Sequence, residues 1–169
     1  MASAIAILAR KIQMPIGLVE DSWQTQPCIV DTIIVNPLQP EDALDAIMSQ
    51  CPAYVWKKVG SRTVILPKRT VQSALEISVR TIRVKEAIPE QAQAYVMALP
   101  EIQQWLHSNG ILPFDLESPN PYWKSETRIS VELSGIKLVD ILDAIARASG
   151  RMSWRVVWFD HDKYMGIYF

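Results

Sequence analysis

The chain has 169 residues, room for one ordinary domain or two small ones, with 49% apolar and 21% charged residues and a net charge of −1. Six Trp and five Tyr complete a globular composition and exclude a disordered chain. Lys and Arg are scattered among Asp and Glu without a basic stripe, which argues against nucleic acid as a partner, and no apolar run approaches the roughly 20 residues of a membrane span.

The N-terminal stretch "MASAIAILARKIQMPIG" has the look of an export signal, but no positive residue precedes its apolar part and Arg10 and Lys11 interrupt it. It reads better as a helix over residues 3–12, capped by Ser3, with Ile5, Leu8, Ala9 and Ile12 on one face. A short strand, "PIGLVE", and a loop of about ten residues lead to an alternating strand, "DTIIVNP". The helix that follows carries Leu44, Ile47, Met48 and Cys51 at i, i+3, i+4 and i+7, one stripe facing a core. Glu41 and Asp42 suit its first turn and Pro52 ends it. A hairpin, "YVWKKV" and "TVILP" around Gly60-Ser61, comes next.

In "LEISVRTIRV" the alternation Ile77, Val79 and then Ile82, Val84 slips phase at Arg80-Thr81, which predicts a bulge or a change of neighbours. A helix from Pro89 to Leu99 is stopped by Pro100, so residues 71–98 form an ordered strand–helix bridge. The series then repeats. A helix from Pro100 to His107 closes at Asn109-Gly110, and "PFDLES" and "RISVELSG" are strands. In the latter, Ile129, Val131 and Leu133 point one way while Ser130, Glu132 and Ser134 point the other. A second helix carries Leu142, Ile145, Ala146 and Ser149 as its stripe, with Asp140 in its first turn, and ends at Gly150. A last hairpin, "MSWRVVWF" and "YMGIYF", turns at Asp160 to Lys163.

The recurrence is literal in one place. "PEDALDAIMSQCPAYVW", residues 40–56, returns as "LVDILDAIARASGRMSW", residues 138–154. The offset of 98 pairs Asp42, Leu44, Asp45, Ala46, Ile47 and Trp56 with Asp140, Leu142, Asp143, Ala144, Ile145 and Trp154, as well as Pro15 with Pro113 and Leu18 with Leu116. These eight identities over residues 14–57 compare with about three from residue frequencies alone. A tandem duplication follows, in which the shared Trp covers the helix stripe from the first hairpin strand.

The stretches "LARKIQMPIGLVED", "TIIVNPLQPEDALDAIM" and "YVWKKVGSRTVILP" resemble the secretin and TonB short N-terminal domain. So, less fully, does "RISVELSGIKLVDILDAIARASGRMSWRVVW", whose half has a longer hairpin turn. The resemblance implies an α+β fold of two α-β-β-α-β-β modules with small mixed sheets, residues 1–70 and 99–169, joined by the bridge. In that family two helices lie between two small sheets. The domain is periplasmic, at the N-terminus of secretin channels and of some TonB-dependent receptors, and binds secretion-system components or signalling regulators. No polar site defines it, so no binding residue is carried over.

Reaction chemistry is sparse. His107 sits near a helix C-terminus, where an imidazole serves the dipole. Asp160, His161 and Asp162 are consecutive, so a polar turn explains them better than a metal site. Asp42 with Asp45, and Asp140 with Asp143, lie three apart on a helix without a recognisable partner acid, base or cation, and read as helix electrostatics rather than catalysis. No stretch matches a phosphate-cradling loop or a nucleophile elbow. Cys28 and Cys51 either form a disulfide, in an oxidising compartment, or are two separate small core residues. Trp105 fits a helix core. Trp23, Trp123 and Trp158, in loop or strand-edge positions, either anchor an interface or cover the gap between the halves.

The expectation is a non-enzymatic protein, periplasmic or secreted with its export signal removed, with no cofactor or metal. Its partner is another envelope protein or a second copy of itself. The rival is a small-ligand binder or enzyme using a cleft between the halves. A KH-like nucleic-acid module would need a Gly-x-x-Gly loop and a basic face, and the sequence has neither.

Overall fold

The computed structural model describes residues 1–21, 28–30, 39–68, 72–114, 127–159 and 163–169. Among these are five helices and eight strands: α1 (Ala2–Ile12), β1 (Ile16–Asp21), α2 (Pro40–Gln50), β2 (Tyr54–Val59), β3 (Arg62–Pro67), β4 (Ser78–Ala87), α3 (Pro89–Met97), α4 (Pro100–Ser108), β5 (Leu112–Pro113), β6 (Ile129–Lys137), α5 (Leu138–Ala148), β7 (Ser153–Phe159) and β8 (Tyr164–Tyr168). A 3-10 turn, Gln72–Glu76, precedes β4. The protein is α+β. The expected strand at 31–37 lies outside the described residues, as does most of "PFDLES".

Helix ends follow from local chemistry. Proline occupies the first turn of α2, α3 and α4, where its missing N–H costs nothing. The Gln91 side chain accepts a hydrogen bond from the Ile88 N–H at the start of α3 (3.1 Å). Helix α1 begins two residues earlier than Ser3 would cap it, with Met1 at the N-cap position. Helices α2 and α5 occupy residues 40–50 and 138–148, which correspond residue for residue at the offset of 98.

Strand pairing brings the halves together. Six strands form one sheet in the order β2-β3-β1-β7-β8-β5, and β4 pairs with β6 in a second. β1 is parallel to both β3 and β7, whereas β2–β3 and β7–β8 are antiparallel and β5 is parallel to β8. Corresponding strands therefore stand in the same order (β2-β3-β1, then β7-β8-β5) but run oppositely. The second half is the first turned over and shifted along the sheet.

Turning over places the helices on opposite faces. Ile16 and Leu18 of β1 and Ile65 of β3 join α1 and α2 in one apolar cluster. Val19, Val64, Leu66, Trp154, Val156 and Trp158 join α3, α4 and α5 in another. β1 is buried on both faces, which is why it reads "IGLV" without alternation. Gly17 is required there: the Trp154 ring lies over it so closely that a Cβ would stand 2.1 Å from a ring carbon.

Helix α5 packs on β1, β3 and β7 on one side and on β6 on the other, and α3 touches both β4 and β8. Helices α3, α4 and α5 share one apolar cluster with strands of both sheets, and α5 is buried nearly all round. In β4, which pairs antiparallel with β6, the bulge or change of neighbours expected at Arg80-Thr81 does not occur: Val79 pairs with Ile136 and Thr81 with Ser134 in one register. Gly135 opposite has a left-handed φ of 64°, and the Arg80 N–H donates to Glu101 (3.1 Å). The register itself shifts further on, between Val84 and Ala87, where Glu86 has a φ of 48°.

Candidate functional site

The residues shared by the halves make one bond twice. The Trp56 indole N–H donates to Asp45 at 2.7 Å, and the Trp154 indole N–H donates to Asp143 at 2.6 Å. In each case the sixth residue of the helix meets the first strand of the hairpin, eleven residues on. The copies differ in depth: the first bond lies at the surface, while Asp143 is 2% exposed. Asp45 and Asp143 are thus anchors for indoles, where the sequence suggested only helix electrostatics.

Around Asp143 a larger cluster forms. The Arg62 Nε, from β3 of the first half, donates to Asp140 at 2.9 Å and stands 3.5 Å from Asp143. Burial of the Asp143 carboxyl pushes its pKa up from 3.8 to about 6. The Trp154 hydrogen bond and the positive charges of Arg62 and Arg147 oppose this, and the nearby Asp140 adds to it. The carboxyl can change protonation in mildly acid solution, but it sits beneath an indole with its oxygens engaged. That arrangement suits a structural tie better than proton transfer to a substrate. Arg62 has no counterpart in the repeat, because residue 160 is Asp.

The remaining candidates are dispersed. Cys28 and Cys51 are joined by a disulfide with Cα atoms 5.6 Å apart. It ties residues 28–30 to the end of α2, where the N-terminal amino group also donates to the Cys28 carbonyl (2.9 Å). Trp158 is 7% exposed and its ring centroid lies 6.1 Å from that of Trp105, so it belongs to the core and is not an interface aromatic. Its alternation with Trp154 and Val156 on β7 was the available signal. Trp23, Trp123 and the Asp160–Asp162 turn, His161 included, lie outside the described residues. His107 is exposed in the last turn of α4. Among the described residues no group of three or more His, Cys, Asp or Glu could hold a metal, and no helix is long and apolar enough to cross a membrane.

One backbone feature points outward. Gly60, with a φ of 62°, opens a two-residue turn that makes Val59 and Arg62 the closing hydrogen-bonded pair of the β2–β3 hairpin. Lys57 with Val64 and Val55 with Leu66 follow in step. The N–H groups of Tyr54, Trp56 and Lys58 therefore point away from β3. That of Tyr54 bonds to the Cys51 carbonyl (2.9 Å), and no described strand pairs with this edge. Comparison with known proteins adds no guide: no family model, no curated protein and no solved structure matches the chain.

Proposed function

We propose that this chain is a non-enzymatic protein of the cell envelope, periplasmic or secreted, that binds another protein by accepting an extended segment along β2. The observation that carries the reading is the edge of β2, where Trp56 and Lys58 direct their N–H groups outward and no described strand takes them. The Cys28–Cys51 disulfide supports an oxidising compartment. The likeness of its sequence stretches to the secretin and TonB short N-terminal domain, whose members bind proteins, supports the same reading.

Lys58→Pro tests this directly. Proline removes an outward N–H and no β2–β3 ladder bond, so the variant keeps the wild-type circular dichroism. The tagged wild type recovers a partner from envelope fractions, and Lys58→Pro recovers at least tenfold less. Equal recovery by both proteins would refute binding at this edge, and a protein confined to the cytoplasm would refute the location.

A further inference from the structure

The β2–β3 hairpin belongs to the first half, yet its closing residue is held by the second. Arg62 reaches from the start of β3 to two carboxylates of α5, at 2.9 Å from Asp140 and 3.5 Å from Asp143. Arg62 and Asp140 are about one-third exposed, whereas Asp143 is buried and already accepts the Trp154 N–H. We propose that Arg62, Asp140 and Asp143 form a proton-responsive tie between the halves, holding the hairpin tip to α5 when Asp143 is ionised and loosening when it takes up a proton.

Only the ionised carboxylate attracts the guanidinium; once neutral, Asp143 leaves Arg62 with Asp140 alone. On α5 itself Asp140 and Arg147 are the nearby charges. The other elements packed against this helix bring Arg62 from β3, Asp21 at the end of β1, Arg155 on β7 and the Lys137–Glu76 pair of β6 and the 3-10 turn. Of these only Arg62 makes an ion pair with Asp143. The rise of the Asp143 pKa to about 6 sets the pH range in which the tie changes state. It needs no bound partner to be observed.

Amide hydrogen exchange of Val59 to Thr63, corrected for the intrinsic rate at each pH, reads the tie. Wild type loses about three- to tenfold of its protection between pH 7.5 and 5, while Asp143→Asn shows the lower protection at both values. Arg62→Gln also shows it at both. In that variant the indole resonance of Trp154 still titrates with Asp143, its midpoint moved upward by loss of the positive charge. Unchanged wild-type protection across this range would overturn the inference. So would wild-type protection at pH 7.5 in either variant.

Discussion

At the scale of single residues, duplication copied a bond and then gave it two environments. The Trp56–Asp45 pair stays at the surface, where its exchange for water bonds is nearly balanced, while the Trp154–Asp143 pair is sealed inside. Trp154→Phe leaves a buried carboxylate short of its donor and costs about 2–4 kcal/mol, against less than about 1 kcal/mol for Trp56→Phe. Urea denaturation of the two variants measures the difference. Asp143 also shapes the pH dependence. A carboxyl whose folded pKa is about 6, against 3.8 ordinarily, binds a proton more tightly in the folded state than in the unfolded one. Its contribution is therefore full below about pH 4 and is lost as pH rises through 6, by roughly 2–3 kcal/mol. Asp143→Asn abolishes that fall, as thermal melts from pH 4 to 7.5 would record. The identities at Asp45, Asp143, Trp56 and Trp154, with their common spacing of eleven, were legible as a pair in each half. Arg62 was not, because its partner Asp140 lies 78 residues away, with Asp143 beyond it, and the repeat carries Asp in its place.

At the scale of elements, the helices are the part most nearly written in local sequence. Periodicity, first-turn prolines and terminal glycines located α1 to α5 to within two residues, since each signal acts inside the element. Strands were legible as strands but not as neighbours. The phase change at Arg80-Thr81 was visible, but the register shift of the β4–β6 ladder falls further on, between Val84 and Ala87, where the partner strand decides it. The same holds for Trp158, where strand register and not residue type decides which face is buried. The disulfide is the one covalent link between elements. Cys28 and Cys51 are 23 residues apart, so reduction, or Cys28→Ser with Cys51→Ala, lowers stability by about 3 kcal/mol by loop-closure entropy. The effect appears as an earlier urea midpoint, with a somewhat steeper slope because the uncross-linked chain exposes more surface when unfolded.

At the scale of the whole molecule, the duplication explains a sheet that neither half possesses alone. Three strands of one half and three of the other meet at the β1–β7 seam, which runs from Ile16–Ser153 to Asp21–Trp158. Because the halves are turned over, each face is covered by helices over a different half, and α5 serves the first half's strands as well as its own. The repeat predicted two like units, but their fusion depends on parallel pairing between segments some 137 residues apart, which no local pattern encodes. Joined in this way, the halves cannot open separately without exposing β1, buried on both faces. Native-state amide exchange under increasing denaturant tests that claim most directly. The account predicts that β1, β3 and β7 exchange only through global unfolding, with one common free energy. Exchange of residues 1–68 in a separate step of lower free energy, while β7 and β8 stay protected, would contradict it.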